Sequence, residues 1–319
     1  MRHITFRNGS RDIAGILHLP AGFGEGRRYP AIVCVHPGSS VKEQTAGVYA
    51  GHMAENGYVA LAFDASFQGE SGGEPRYAED PAARVEDIRC AVDFLTTLDH
   101  VDEDRIGVLG ICAGGGYAVN AAMTEHRIKA VGTVVAVNIG RARRTAGGPG
   151  SAIEMLEAVG RQRTIEARGG EPLITNWIPD SPKEAEEAGI TGLDSLEAVD
   201  YYRTPRGRHE RASNRLRFTS VASVLAFDAF HLVEELLTQP LQIIVGNRIG
   251  EFGSYEDGHE LFQRATCEKD LFVIDGASHY DLYDRPDPVG RAVDRLTAFY
   301  GDHLAAAASG PGGQPRTAP

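Results

Sequence analysis

Short β-rich runs alternate with helical patterns up to about residue 140, and the alternation resumes after about 236. Such a chain folds as an α/β domain with a mostly parallel sheet, because successive parallel strands need a helical crossover to bring the chain back. Two strands are expected to open the domain near 3–8 and 12–19, followed by strands at 31–36, 59–65, 106–112 and 130–138. Helices are expected between them near 42–56, 81–98 and 113–126. The second helix is the best marked: Asp80 can cap it, Pro81 suits its first turn, and Val85, Ile88, Val92 and Leu95 repeat at helical spacing.

Between about 141 and 235 the alternation stops. The sequence there is rich in Arg and Glu, largely helical in pattern, and broken by Gly147-Gly148-Pro149-Gly150, Pro179-Asp180-Ser181-Pro182 and Thr204-Pro205-Arg206-Gly207. With 319 residues, the chain suits one large domain carrying an insertion. The expected organisation is a core formed by 1–140 and 236–304, a helical cap at 141–235, and a disordered Ala-, Gly- and Pro-rich tail at 305–319. After the cap come a strand at 241–245, a helix near 254–266, a strand at 271–274 and a final amphipathic helix carrying Val289, Val293, Leu296, Phe299 and Leu304.

Gly110-Ile111-Cys112-Ala113-Gly114-Gly115 follows the fifth strand and opens a helix, giving G-x-C-x-G in a strand-to-helix turn. This is the form of a nucleophile elbow with sulfur in place of oxygen: the turn is so sharp that small residues must flank the nucleophile, whose side chain then stands at a helix N-terminus. There the helix dipole is expected to favour thiolate over thiol. The plainer reading of the motif is a buried cysteine in a Gly-rich turn. Cys34 and Cys90 lie in apolar patterns and read as packing residues. The four cysteines show neither disulfide-framework nor zinc-site spacing.

In α/β-hydrolases, which carry such elbows, the chain order is nucleophile, acid, histidine, with the histidine in the loop after the last core strand. Of the eleven histidines only His279 has that address, in Asp275-Gly276-Ala277-Ser278-His279-Tyr280-Asp281; otherwise it is a surface-loop residue. An oxyanion hole is expected from the Ala113 N–H and from Gly38 and Ser39 in the turn ending the third strand. The acid should follow the seventh strand, where Glu251 lies nearest the strand end and Asp257 falls in the next helix. Asp228 and Asp281 fit the order less well, and a Cys–His dyad without an acid stays open, since a thiol ionises more readily than a hydroxyl.

The elbow, the His36-Pro37-Gly38 turn, Val41-Lys42-Glu43-Gln44-Thr45, Phe63-Asp64-Ala65-Ser66, Gly69-Glu70-Ser71-Gly72-Gly73-Glu74-Pro75 and Gly276-Ala277-Ser278-His279 together resemble the dienelactone-hydrolase-like α/β-hydrolases over about residues 3–304. The resemblance implies an α/β-hydrolase fold and a Cys–His(–acid) hydrolase for esters, lactones or thioesters, with related members acting as acyl transferases. This chain departs from dienelactone hydrolases proper in its large cap and in lacking an obvious Asp after the seventh strand. A non-hydrolytic pocket, binding a small molecule or guiding its cyclisation, is the alternative use of such a scaffold.

Lys and Arg number 32 against 44 Asp and Glu, so the net charge of −12 opposes general binding to nucleic acid or anionic membranes. No apolar run approaches the roughly 20 residues of a spanning helix, and no signal-peptide h-region is seen. The expected partner is a small acyl substrate in the cytoplasm, with no cofactor and no metal, and with oligomers open. In the cap, Arg203, Arg206, Arg208, Arg211, Arg215 and Arg217 either bind an anionic part of the substrate or, the plainer alternative, pair with acidic residues of this net-negative chain.

Overall fold

A computed structural model of the chain describes residues 1–306. Its strands are β1 (Arg2–Asn8), β2 (Arg11–His18), β3 (Tyr29–Val35), β4 (Val59–Phe63), β5 (Val101–Ile111), β6 (Ile128–Val134), β7 (Ile174–Asn176), β8 (Arg215–Arg217), β9 (Leu241–Gly246) and β10 (Lys269–Ile274). The helices are α1 (Thr45–Glu55), α2 (Pro81–Thr96), α3 (Ala113–Ala122), α4 (Ile139–Thr145), α5 (Ser151–Ala167), α6 (Pro182–Glu187), α7 (Leu193–Arg203), α8 (Val221–Ala226), α9 (Val233–Leu236), α10 (Ser254–Arg264), α11 (Asp281–Asp284) and α12 (Pro286–His303).

Eight strands form one sheet in the order β1-β2-β4-β3-β5-β6-β9-β10. β1 pairs antiparallel with β2, and β2 antiparallel with β4; from β4 to β10 every pairing is parallel. This is the expected α/β-hydrolase fold. The central strands are covered on both faces, so they read as continuous apolar runs. Along β3, Ala31, Val33 and Val35 pack with α2 and α3 on one face, while Ile32 and Cys34 pack with α1 and α12 on the other. The Asp80 carboxylate accepts from the Ala82 and Ala83 amides, so α2 starts where its cap and Pro81 place it.

Two boundaries differ from expectation. β6 ends at Val134 because the chain turns at Val135 (φ 43°), which leaves the Asn138 side chain to cap α4. The 42–44 stretch is a turn, and α1 begins only at Thr45. The segment between β6 and β9 adds nothing to the main sheet. It carries six α-helices, α4 to α9, and a two-stranded antiparallel pair, β7–β8, that the helical reading missed. A small core of Val159, Leu216, Val221 and Leu225 holds this segment together, and Trp177 packs against that core and against both cores of the main sheet. The tail expectation falls largely on 307–319, outside the described residues.

Candidate active site

β5 delivers the chain to Cys112 and α3 carries it away. Cys112 has φ 55° and ψ −127°, a strained left-handed turn for a residue with a side chain. The strain is fixed by close backbone approach. A Cβ on Gly110 would lie 2.3 Å from the Gly114 carbonyl oxygen, and one on Gly114 would lie 2.3 Å from that of Val35. The Cys112 amide donates to Val134 O at 3.0 Å, and its carbonyl accepts from Gly115 and Val137 at 2.9 Å each, which locks the elbow between β6 and α3.

Two backbone amides, those of Ala113 and Gly38, point at the Cys112 sulfur. Gly38 is held by its neighbour His36, whose ring bonds the Pro37 carbonyl at 2.6 Å and accepts from the Ala65 amide at 3.0 Å, while Arg84 donates to the His36 carbonyl at 2.7 Å. The Ser39 hydroxyl is committed elsewhere, accepting from Asn214 of the cap at 3.0 Å. The Asp64–Gly73 loop supports the same region, its Ala65 amide bonding the His36 ring. Asp64 accepts from the Lys42 and Glu70 amides, and its carboxylate lies 2.8 Å from the fully buried Lys42 ammonium.

His279 follows β10, its ring buried. Nδ1 lies 3.0 Å from the Ser254 hydroxyl and Nε2 lies 3.2 Å from the Tyr283 hydroxyl. The Tyr283 hydroxyl also interacts with the Cys112 thiol, so it links sulfur and imidazole. Tyr201, Tyr202, Tyr280 and Tyr283 form an aromatic wall with ring centroids 4.5 to 6.2 Å apart. Burial sets the protonation of the pair. Cys112 keeps a partial opening to solvent, yet desolvation pushes its thiol up to about 11, outweighing Tyr283 and the two amides. Burial likewise lowers His279 to about 3, with the Glu251 charge opposing only weakly. The thiolate expected from the helix dipole is therefore not the resting form; the pair rests as neutral thiol and neutral imidazole.

The acid expectation needs correction. Glu251 makes no hydrogen bond to His279. Its carboxylate accepts from the Asp194 and Ser195 amides at 3.0 and 2.8 Å and caps α7 of the cap, while Asp194 in return accepts from the Phe252 amide at 2.7 Å. Gly192 leaves room for this clasp, since a Cβ there would lie 2.1 Å from the Glu251 carboxylate. The physical reason is competition: unpaired amides at a helix start attract a carboxylate as strongly as an imidazole does. The other candidates are also engaged, Asp257 with Arg141 and the Asn138 amide, Asp228 with the Asn138 side chain, and Asp281 with the Ser278 amide. Sequence reasoning looked for the partner between β9 and α10 and missed Ser254, the first residue of α10. It also missed Tyr283, four residues past His279 on the short helix α11.

Four of the six cap arginines are paired, Arg203 with Asp180, Arg206 with Asp284 and Asp200, Arg211 with Glu43 and Glu70, and Arg217 with Glu166. They are bound up in the fold, as the plainer of the two readings holds. Among the described residues no group of three or more His, Cys, Asp and Glu side chains is placed to hold a metal, and no helix is long and apolar enough to cross a membrane.

The sequence model of the dienelactone hydrolase family matches residues 13–136, which run from within β2 through the elbow to just past β6. The protein YcjY of Escherichia coli (strain K12) is 41% identical over 309 residues, covering 94% of this chain and 98% of its own. The chain belongs to the dienelactone hydrolase family. As a family member it is an enzyme, a hydrolase of the α/β-hydrolase type. The crystal structure of protein PA2218 from Pseudomonas aeruginosa, 36% identical, superimposes with a TM-score of 0.86 over 95% of this chain and 93% of that one. A more distant relative, a thiohydrolase of Eupenicillium brefeldianum, is 26% identical over 262 residues, 82% of each chain.

Proposed function

We propose that this hydrolase cleaves esters or thioesters through an acyl-enzyme on Cys112. The observation that carries the reading is the Tyr283 hydroxyl, which joins the Cys112 thiol to Nε2 of His279 beside two converging amides. As the sulfur attacks the substrate carbonyl carbon, the thiol proton passes to Tyr283 and the Tyr283 proton to Nε2 of His279. The resulting oxyanion rests on the Ala113 and Gly38 amides. Collapse expels the alcohol or thiol, which takes its proton back along the same path. Water then attacks the acyl-cysteine, again with His279 as base, releasing the carboxylic acid and restoring the thiol.

A resting thiol rather than a thiolate makes this cysteine work as serine does, by general-base assistance during attack. Sulfur favours activated acyl groups over amides, and the distant thiohydrolase supports thioesters as the first substrates to try. Acyl transfer would need only an alcohol or amine in place of the water. The test is turnover of a panel of aryl esters, lactones and acyl-thioesters by the wild-type enzyme and by Cys112→Ala. Loss of all turnover in a folded C112A variant is expected; retention would favour a pocket that acts without a covalent intermediate.

A further inference from the structure

α5 runs along the outside of the cap. Ala152, Met155 and Val159 turn one face of it towards the small core shared with Leu216, Val221 and Leu225, and Val159 is its one buried residue. The opposite face holds apolar side chains in solvent, with Ile153 62% and Leu156 41% exposed. At helical spacing the same stripe continues through Gly160, Thr164 and Ala167, all small. No described atom lies within 4 Å of where a Cβ on Gly160 would stand. A glycine in mid-helix weakens the helix, and packing within this chain asks for none at that place. Gly160, Arg163, Thr164, Glu166, Ala167 and Arg168 line a shallow surface hollow of about 560 Å³. One half of the stripe is thus bulky and the other half hollow.

Charge divides the same face at the same point. The N-terminal half carries Glu154 and Glu157, the C-terminal half Arg161, Arg163 and Arg168. Among the described residues the side chains of Glu154, Arg163 and Arg168 have no hydrogen-bond or ion-pair partner. Glu157 meets Arg161 of its own helix at 3.7 Å, with both side chains exposed. A second α5 laid antiparallel, with Gly160 against its own copy, fits shape and charge together. Ile153 then meets the partner's Ala167, and Leu156 meets the partner's Thr164 beside the hollow. Glu154, Glu157, Arg161 and Arg168 lie along one flank of the stripe, and a two-fold axis sets that flank against itself. Glu154 therefore faces the partner's Arg168, and Glu157 faces the partner's Arg161. A parallel copy would instead put Glu beside Glu and Arg beside Arg.

We propose that the chain associates with a second copy of itself into a two-fold dimer through antiparallel α5 helices that cross at Gly160. The glycine lets the two backbones approach closely, Ile153 and Leu156 fill the partner's hollow, and the exposed charges fix register and direction more than strength. One pair of helices buries less than the roughly 1,200 Å² of a standard stable interface, so the association is weak and reversible.

Sedimentation velocity of the full chain from about 1 to about 200 µM tests this, because a small interface of this kind dissociates in the micromolar range. The mass should rise from that of one chain towards that of two. Gly160→Arg, on an open helix face, should leave the circular dichroism spectrum folded and raise the dissociation constant at least ~10-fold by blocking the close approach. Glu157→Arg should weaken association at least ~3-fold, and adding Arg161→Glu to it should restore association, since the pairs form again with their signs exchanged. A single-chain mass at every concentration, a dimer undisturbed by G160R, or a double variant that associates no better than E157R would each overturn the proposal. The unsubstituted chain alone decides the first of these, so misfolding of a variant cannot mask the outcome.

Discussion

The Ser254 hydroxyl stands 3.0 Å from Nδ1 of His279, on the side of the ring where an orienting carboxylate would sit. A neutral hydroxyl can fix the ring's orientation but stabilises an imidazolium far less than a carboxylate does. That agrees with a ring held neutral by burial. Ser254→Ala should therefore lower kcat only about 3- to 10-fold, well short of the roughly 10⁴-fold loss when a triad acid is replaced by its amide.

Glu251→Gln separates capping from catalysis. Its carboxylate serves the amides of α7, so the amide should weaken the clasp between cap and core by about 1 kcal/mol. Thermal unfolding should shift down while kcat falls less than about tenfold. A loss of 10²-fold or more in a fully folded variant would restore Glu251 as the orienting acid.

Tyr283→Phe removes only the hydroxyl between sulfur and imidazole. Turnover of an unactivated ester should drop by about 10²-fold through kcat, with KM little changed, as for loss of a group that moves a proton. If the same variant loses as much on a p-nitrophenyl ester through KM alone, Tyr283 shapes the pocket and carries no proton.

How much of this site could be read from the sequence depended on distance along the chain. Cys112 and His279 announce themselves because an elbow and a post-strand loop are local patterns. Tyr283 lies in the same local stretch as His279, but its role follows from a hydroxyl meeting a sulfur 171 positions away in sequence, which only the packed tyrosine wall brings about. Glu251 had the right address, but the amides it serves belong to a helix 57 residues earlier, and no sequence spacing encodes that meeting. The fold was more legible than the site, since alternation and apolar runs are properties of neighbours. The β7–β8 pair, three residues per strand, is too short to show a period.

Neutral thiol and neutral imidazole give a specific pH signature. With the Cys112 thiol pushed up to about 11, the thiolate fraction at pH 7 is small and grows as protons are removed. Alkylation of Cys112 by iodoacetamide should rise about tenfold per pH unit between 7 and 9. His279, held down to about 3, stays an unprotonated base throughout and adds no inflection near 6.5. A labelling rate already level by pH 7 would mean a thiolate–imidazolium pair instead.

Below the site, Lys42 and Asp64 are both fully buried and 2.8 Å apart. Lys42→Met leaves the Asp64 carboxylate without its counter-charge and should cost about 3–5 kcal/mol of stability. Chemical denaturation measures it, and a loss below about 1 kcal/mol would show that Asp64 takes up a proton or finds another partner.

The measurement closest to the central claim is intact-protein mass spectrometry of a reaction with a slow-deacylating aryl ester, quenched in acid within the first turnovers. The account predicts a stoichiometric adduct with the mass of the acyl group, mapped to the peptide carrying Cys112, and absent in C112A. Turnover with no adduct at any quench time and unimpaired in C112A, or an adduct on another residue, would contradict it.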